Sequence, residues 1–411
     1  MSTETYSNTE KDDEELTYTP ILQNGAIAFT GQGRVPRVGG VVFRDSDIGT
    51  RQLVARDGSE IQQRIDEINN LGGGIVFLKN GVYNMSNDIT LYSNITLQGE
   101  TGGGVIIDFQ GGSYQVKAEG NGAFSTGTIS ISDGQTTVTG SGTDWTVELE
   151  GRFIFLRDHY YEVSSVDSST SITVANSYAG TADISGGTYV IANTVDGVSL
   201  VDFTVKNSTN GNGGIFFRYT SFPFFSGITT SDCTLGWKVQ DSDILTARDF
   251  DVIDCENGVV LNQIGLTTLN SFNINDCSVG DALNCSKLVN SEISNFTTNN
   301  AAGSAMVFDT CADTGVIDFS AASNSSYGIR FVNTETFNII VATISDSGLD
   351  GVKFVGNSNF NIINTVNFEE NVNYGINVSE SACDNNVLVG NTFNGNVSAA
   401  VNDLGTGTMI N

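Results

Sequence analysis

The sequence predicts an all-β protein, a right-handed, single-stranded parallel β-helix (a solenoid) with rungs of about 22–25 residues. Three observations predict this fold: a repeat with that period, a Gly-rich and Pro-poor composition, and a short helical segment ahead of the first strands. The chain has 411 residues, of which 47 are Gly and only 3 are Pro. Because Gly and Asn suit tight turns and β-branched residues suit strands, this composition favours a solenoid with many turns.

The repeat is clearest after residue 193, where a small residue is followed by an apolar-x-apolar strand. The steps between the repeat glycines are 22, 22, 22, 23, 25, 23 and 24 residues. Crossovers between parallel strands are almost always right-handed, which sets the predicted hand of the coil. The repeat positions are Gly214, Gly236, Gly258, Gly280, Gly303, Gly328, Gly351 and Gly375, with Ser398 as a ninth.

Residues 57–78 predict a helix that caps the first rung. Ser59 and Gln62 have the spacing of a capping box at its start. Apolar residues then follow at helical spacing, and three glycines end the helix before a strand at 75–78. A solenoid needs such a cap because its first rung otherwise exposes apolar core and open backbone edges. The apolar positions are Ile61, Ile65, Ile68 and Leu71.

This stretch resembles the N-terminal cap of the pectate-lyase-like superfamily, although Lys79 stands where the family usually has Pro. That superfamily includes phage tailspikes, polysaccharide lyases and glycoside hydrolases, so the resemblance implies the fold and leaves the function open. Because tailspike β-helices usually form homotrimers, it also implies a homotrimer. The matching residues are Asp57, Ile61, Gln62, Ile65, Gly73, Gly74, Val76, Gly81 and Tyr83.

Between the first rungs and the main repeat, short alternating strands with turn signals predict a small antiparallel β insert. Its segments 140–145, 161–163 and 172–174 resemble small β modules of phage tail and fibre proteins. The predicted segments are an acidic N-terminal tail at 1–20, an adaptor segment at 21–56, the cap helix and first rungs at 57–122, the insert at 123–192 and the main β-helix at 193–411.

The charge of the chain limits its partners. Lys and Arg number 18 and Asp and Glu number 47, for a net charge of −29. Binding to nucleic acid requires clustered basic residues, so this partner is not expected. The start of the sequence lacks the apolar region of a classical signal peptide, and no apolar run is long enough for membrane insertion. We expect a virion or an extracellular assembly, with other subunits of it as partners.

Carboxylates are the expected catalytic groups, because His159 is the only histidine and belongs to the insert. On adjacent rungs two carboxylates lie about 5 Å apart, and on alternate rungs about 9.6 Å, near the separations of retaining and inverting glycosidases. A solvated acidic face is the alternative interpretation. The catalytic candidates are Asp241, Asp243, Asp249, Asp251 and Glu256, with Trp237, Lys238 and Arg248 as candidate sugar-binding residues beside them.

Two further sets of residues come from the repeat. Arg330 and Lys353 fall on adjacent rungs, where they form a basic strip that suits the carboxylates of a uronate polymer; Glu335 and Asp350 are candidate bases beside it. Asp232, Asp254 and Asp276 recur before the repeat glycines as a turn ladder or, alternatively, as a Ca²⁺ site. No cofactor is required otherwise. The residues that follow them, Cys233, Cys255 and Cys277, have the spacing of a packed stack and lack that of a zinc site.

The sequence thus favours a structural protein of a virion or cell surface, of the tailspike or tail-fibre type, that binds a polysaccharide, a cell-surface glycan or other subunits. The alternative is a glycoside hydrolase with an Asp/Glu pair, and a polysaccharide lyase comes third. Enzyme and binding protein both stay open at this stage.

Overall fold

The computed structural model describes residues 51–156, 159–179 and 183–411, and before them only the backbone of five strands. The first three of these form an antiparallel sheet, and the last two extend onto the strand at 51–55. Apart from these strands, the predicted tail at 1–20 and most of the adaptor segment at 21–56 lie outside the described residues. The five strands are Tyr6–Asn8, Leu16–Gln23, Ala26–Thr30, Arg37–Val38 and Val41–Phe43.

The chain coils as a parallel β-solenoid, which confirms the predicted fold. Each full rung has three strand segments, which we name faces 1, 2 and 3; one rung, for example, consists of 237–240, 246–248 and 250–253. Each face pairs in parallel with the same face of the next rung, so equivalent residues lie about 4.8 Å apart. Corner 1 joins face 1 to face 2, corner 2 joins face 2 to face 3, and corner 3 leads to the next rung.

Face 1 is formed by strands Ile89–Thr90, Val116–Glu119, Ile215–Arg218, Leu235–Ser242, Asn257–Ile264, Met306–Asp309, Ile329–Val332, Val352–Val355, Tyr374–Val378 and Ala399–Asp403. Faces 2 and 3 are formed by Arg51–Ala55, Gly74–Leu78, Gly81–Asn84, Ile95–Gly99, Val105–Asp108, Ser199–Lys206, Phe224–Ser231, Leu245–Ile253, Thr267–Asn275, Ala312–Ala322, Asn338–Ser345, Ile362–Glu369, Val387–Val389, Thr392–Asn394 and Met409–Ile410. Leu283–Asn299 runs through all three faces, and the short pair Val195–Asp196 and Thr220–Ser221 lies at corner 1.

The register corrects part of the predicted repeat. Gly236 and Gly258 are equivalent, but the next positions of that row are Ala282 and Ala305, two residues beyond Gly280 and Gly303. Likewise Ala400, and not Ser398, follows Gly375. The position requires a small residue, because a Cβ at Gly258 would lie 2.0 Å from the Ala282 carbonyl oxygen. Since Ala replaces Gly in these rungs, the positions of glycine alone do not identify the equivalent residues of successive rungs.

The cap helix spans Gly58–Asn69, and its N-terminal capping residue lies two positions before the predicted Ser59. Its N-cap is Asp57, whose carboxylate accepts from the backbone N–H groups of Ser59 and Glu60 at 2.9 and 3.2 Å. The Ser59 hydroxyl donates to the same carboxylate, and this bond is the largest cause of the lowered pKa of Asp57. The predicted capping box of Ser59 with Gln62 is therefore wrong; Gln62 instead exchanges two hydrogen bonds with the Thr90 backbone.

The predicted apolar stripe of this helix is nearly right. Ile61, Ile65 and Ile68 are fully buried against the first rung, whereas Leu71 is 45% exposed because the helix ends two residues before it. None of the helices in the described part of the chain is long and apolar enough to cross a membrane.

The insert is an antiparallel sheet of eight strands between two rungs, with its own apolar core around Trp145 and Ile154. The Trp145 indole N–H donates to the Tyr189 hydroxyl at 3.0 Å inside that core. The insert also contains one short 3-10 helix, Val147–Leu149. Its strands are Asn121–Phe124, Thr128–Ile131, Thr137–Ser141, Phe153–Leu156, His159–Ser168, Ser171–Val174, Ile184–Gly187 and Val190–Asn193.

Corner 3 explains the predicted aspartate and cysteine ladders. Asp232, Asp254 and Asp276 are exposed and have positive φ angles of 52–59°, as expected of single-residue turns. By the same spacing before the repeat glycines, the sequence predicts Asn299 and Asn324 as the next members of this ladder. It continues instead through Asn300 and Ser323, because the rung after Asp276 is longer. The residues that follow these positions point inward: Cys233, Cys255, Cys277, Ala301, Asn324, Ser347 and Asn371 are all buried.

Candidate functional site

Corner 1 carries an outward ladder of polar residues. Each residue of the ladder takes a positive φ between 48° and 56°, so a single residue turns the chain from face 1 toward face 2. The strand register places them on successive rungs, about 4.8 Å apart. We name this row the corner 1 ladder; it consists of Tyr219, Asp241, Gln263, Lys287 and Thr310.

The insert docks on corner 1 through two consecutive residues of one strand. The Nδ1 atom of His159 lies 3.0 Å from a carboxylate oxygen of Asp243, and the Tyr160 backbone N–H donates to the other oxygen at 3.2 Å. The Tyr160 hydroxyl donates to the Asp241 carbonyl oxygen. The Asp243 side chain is only 8% exposed, and a desolvated carboxylate requires such partners. These contacts join residues that are more than 80 positions apart in the sequence.

Burial shapes the electrostatics of this junction. It is the main cause of the raised pKa of the Tyr160 phenol, which the carboxylate of Asp241 raises further, so Tyr160 stays a hydrogen-bond donor. On face 1, burial and the nearby Arg218 guanidinium lower the pKa of Lys238. Arg218 itself lies 3.2 Å from Asp241 and 4.0 Å from Glu119, and over the Tyr219 ring at 4.3 Å.

A cleft between the insert and corner 1 continues from this junction. Its volume is about 280 Å³. Gln263, Lys287 and Thr310 of the corner 1 ladder line it, so its wall lies on the same row as Asp241. Phe155, which belongs to the insert, packs edge-on against Tyr160 with 5.0 Å between ring centroids, which connects the cleft to the junction. The lining residues are Phe155, Thr188, Gln263, Lys287, Val289, Thr310 and Ala312.

The five predicted catalytic carboxylates do not form one cluster. Asp241 and Asp243 lie together at corner 1. The insert binds the carboxylate of Asp243 but only the backbone carbonyl of Asp241, whose carboxylate lies 3.2 Å from Arg218. Asp249 is exposed at corner 2, Asp251 accepts from Asn273 on face 3 at 2.7 Å, and Glu256 is exposed after corner 3. The sequence spacing placed these residues within one rung. Because the chain turns at each corner of the rung, their side chains point outward on different sides of the solenoid.

Of the three candidate sugar-binding residues, Trp237 was wrongly predicted. Trp237 is 2% exposed and packs inside the solenoid against Phe225 and Phe250, with 5.3 and 4.9 Å between ring centroids. It occupies an inward position of face 1, so its side chain cannot contact a sugar. Lys238, the next residue, points outward and lies 5.9 Å from the Phe216 ring. Arg248 is exposed on face 2 and lies 5.4 Å from the ring of Phe224.

Arg330 and Lys353 are direct neighbours in the register of face 1, as expected for a basic strip. Lys353 is 3.6 Å from Asp350, whose side chain is only 2% exposed and also accepts from Asn377 at 2.9 Å. The carboxylate of Asp350 is thus committed to structural contacts, and Glu335 lies on corner 1 beside Ala312. The strip has cations but no free base beside it among these residues.

The corner 3 aspartates do not make a ready metal site. In the ranges 51–156, 159–179 and 183–411, no group of three or more His, Cys, Asp or Glu side chains is placed to hold a metal ion. Asp232, Asp254 and Asp276 are turn residues, and a Ca²⁺ ion on them stays a prediction without further support. The cysteines that follow them are buried and have free thiols, and burial raises the pKa of Cys277 to about 12.

Sequence reasoning missed several residues of the site. His159 was set aside because it belongs to the insert, and Tyr160, Arg218 and Lys287 were not considered. The signal for Lys287 was available: it follows Gln263 by 24 residues, one rung, and both stand at the end of a face 1 strand. The contacts of His159 and Tyr160 were not available, because no periodicity relates the insert to the solenoid.

No protein-family model matches the sequence, and a search of curated proteins gives no match. Solved structures do share the fold. The chain is similar to the DFA-IIIase of Arthrobacter chlorophenolicus A6, at 11% identity over 86% of this chain and 89% of that one, with a TM-score of 0.59. It is also similar to the A-module of the mannuronan C-5 epimerase AlgE6 of Azotobacter vinelandii, at 15% identity over 87% and 96% of the two chains and a TM-score of 0.50.

A tailspike of Pseudomonas phage phi297 also matches, at 14% identity over 81% of this chain and 73% of that one, with a TM-score of 0.40. The likenesses with TM-scores of 0.59 and 0.50 show the parallel β-helix fold, which agrees with the fold that the N-terminal residues predicted. The structural neighbours include carbohydrate-active enzymes and phage tailspikes.

Proposed function

We propose that this protein binds a polysaccharide in the cleft between the insert and corner 1. The observation that carries the proposal is the cleft itself, which has partly exposed apolar side chains at Val289 and Ala312 and hydrogen-bonding groups at Thr188, Gln263 and Thr310. Sugars are bound by this combination of an apolar surface with a few placed polar groups. The mannuronan C-5 epimerase among the structural neighbours supports the substrate class.

Within this class we propose a surface or virion protein of the tailspike type. The support is the likeness of the insert sequence at 140–145 to small modules of phage tail proteins. The net charge of −29 fits a role that does not involve nucleic acid. A homotrimer is part of the same proposal and comes from the resemblance alone.

A second candidate function, glycoside hydrolysis, is favoured by one specific arrangement. Arg218 lies between Asp241 and Glu119, at 3.2 and 4.0 Å. The two carboxylates belong to rungs two apart, a separation of about 9.6 Å, near the upper end for inverting glycosidases. In this mechanism one of the two carboxyls, as the acid, protonates the glycosidic oxygen, and the other, as the base, activates the attacking water.

The experiment is a screen of bacterial and algal polysaccharides with the purified protein. Binding is measured directly, while new reducing ends and the absorbance of unsaturated uronates report hydrolysis and lyase chemistry. Binding without either product supports the binding proposal, and reducing ends without absorbance support the hydrolase. Absorbance indicates a lyase and turns attention to Arg330 and Lys353. If no polysaccharide of a broad panel binds, the proposal is wrong.

For the hydrolase, the matched variants are Glu119→Gln and Asp241→Asn. Each retains the size of the side chain and removes one acid–base group, which typically contributes about 10²–10⁴-fold to the rate. We expect each variant to lose reducing-end release by about that factor while it still binds the polymer. Asp249→Asn, at corner 2, is the control. If the two variants cleave at the control rate, these carboxylates are not catalytic.

A further inference from the structure

We propose that the cleft selects an acidic glycan and that Lys287 binds its anionic group. This inference rests on the proposed function, because it names the class of polysaccharide that the cleft takes. It also assigns a specificity-determining role to Lys287, which the sequence patterns alone did not single out.

The charge of the cleft is opposite to the charge of the chain. Acidic residues outnumber basic ones by 47 to 18 in the sequence. Among the seven described residues that line the cleft, however, the one charged side chain is the cation Lys287. A neutral ligand gains little from an ammonium group that stays solvated. An anionic sugar gains a charge-assisted hydrogen bond at this position.

The position of Lys287 suits a ligand contact. Its backbone has a φ of 56°, and its side chain is exposed at the corner rather than folded into the solenoid. None of the ion pairs found in the described part of the chain involves it, in contrast to Lys117, Lys206 and Lys353. Gln263, one rung away, supplies an amide for the remaining oxygens of a sugar. On the other side the Thr310 hydroxyl donates to Asp309 at 2.8 Å, so its oxygen accepts from a sugar hydroxyl.

The carboxylates around Lys287 have hydrogen-bond partners. On the neighbouring rung, Asp309 accepts from the Thr310 hydroxyl at 2.8 Å and Asp313 accepts from the Thr336 hydroxyl at 2.7 Å. Asp241 lies two rungs from Lys287, about 9.6 Å away, and is held by Arg218 and by the Gln240 amide at 3.2 and 3.3 Å. Asp243 is held by the insert at the junction. A neutral hydroxyl partner leaves the charge of Asp309 in place, so repulsion of an anionic sugar comes from this carboxylate as well as from the net charge of the whole surface, which salt screens. The contact at Lys287 is local and supplies the attraction.

The experiment uses the full chain and a pair of ligands that differ only in charge. A uronate polymer that the protein binds is compared with its carboxyl-reduced, neutral form, at constant ionic strength. We expect the wild-type protein to bind the acidic form about tenfold to a hundredfold more tightly, as a charge-assisted hydrogen bond allows. A sulfated polymer in a third arm shows whether the anionic group must be a carboxylate.

Lys287→Met removes the charge and retains most of the length of the side chain, and we expect it to abolish the preference for the acidic form. Lys79→Met is the matched control, because Lys79 is exposed in the first rungs, outside the cleft, and has no ion pair among the described residues. The control changes the net charge equally and should retain the preference.

Three results overturn the inference. If the wild-type protein binds both forms equally, polysaccharide binding stands and the acidic preference is wrong. If it prefers the acidic form but Lys287→Met does so equally, another group supplies the selectivity. If it binds no form of any polymer, the proposed function fails, and the inference fails with it. Unchanged thermal unfolding of both variants shows that the substitutions left the fold intact.

Discussion

Asp243 illustrates how a single carboxylate joins two parts of the chain. Its side chain accepts from His159 and from the backbone of Tyr160, and its carbonyl oxygen accepts from the Phe222 N–H at 3.1 Å. A carboxylate that is 8% exposed is costly to bury unless these bonds are made. These hydrogen bonds therefore hold the insert against the solenoid surface, in addition to its two covalent connections.

Lys238 gives a prediction about pH and stability. Burial and Arg218 lower its pKa in the folded state, so the folded protein binds the Lys238 proton more weakly than the unfolded chain does. Such a group destabilises the fold when charged: its contribution is most favourable above the unfolded pKa of about 10.4 and is lost as the pH falls through the folded pKa. We expect Lys238→Met to raise the thermal midpoint at pH 7.

The same comparison at alkaline pH is the control for this prediction. As the pH approaches about 10.4, the wild-type lysine loses its proton and the difference between the two proteins should shrink. Differential scanning calorimetry at pH 7 and pH 10.5 measures both values. A variant that is less stable than wild type at pH 7 would show that the ammonium group stabilises the folded state.

At this scale the sequence indicated the residue types of the site better than their arrangement. Asp241 and Asp243 were predicted as candidate catalytic residues and lie together at the junction. Trp237 was selected as a candidate sugar-binding residue for its residue type, although the repeat places it inward as the first apolar residue after Gly236. His159 could not be related to Asp243, because 84 positions separate them and only the docked insert brings them together.

The stacked phenylalanines on face 3 show how one face of this solenoid stabilises the contacts between rungs. Phe250, Phe272, Phe296 and Phe319 occupy the same inward position of successive rungs, with 4.5, 4.6 and 5.0 Å between neighbouring ring centroids. Their rings are nearly parallel, within 8°. Each ring excludes water from its two neighbours, so the stack stabilises contacts between rungs as well as within them.

Phe272 lies inside this stack and gives the prediction for the element. It is 2% exposed, and Phe272→Ala removes contacts with the rings above and below it. We expect a loss of about 3–5 kcal/mol in the free energy of unfolding, the usual cost of such a truncation in a core. Urea unfolding followed by circular dichroism measures it.

Phe222→Ala is the matched control for that substitution. Phe222 is 58% exposed at corner 1, so the same truncation should change stability by about 0.5 kcal/mol or less. Equal losses in the two variants would mean that the stack contributes nothing beyond the removal of a phenyl ring from the chain.

The period of the repeat was predictable because each rung repeats one physical requirement, an inward apolar strand followed by a tight corner. The exact equivalence of rungs was less predictable. Gly280 and Gly303 have the right residue type, but Ala282 and Ala305 occupy the small position, because some rungs contain one or two more residues. A corner absorbs such an addition without loss of strand pairing, so spacing alone does not reveal it.

At the scale of the whole molecule, the insert changes what the solenoid surface offers. A solenoid without the insert would present corners and flat sheet faces to solvent. By docking on corner 1, the insert forms one wall of an open cleft of about 280 Å³ and brings a histidine and a partly buried tyrosine to the solenoid. The proposed binding site therefore belongs to neither part alone.

The central claim, that the cleft binds the polysaccharide, is tested most directly by filling the cleft. Thr188 is an exposed residue of the insert that lines the cleft, and Thr188→Trp places an indole in that space. Thr137→Trp, on an exposed strand position of the insert outside the cleft, is the control. The measurement is the affinity of the three proteins for a polysaccharide that the wild-type protein binds. The account predicts that Thr188→Trp loses affinity by tenfold or more, about 1.4 kcal/mol, while Thr137→Trp binds like the wild type. Wild-type affinity in Thr188→Trp, with the fold intact, would contradict it.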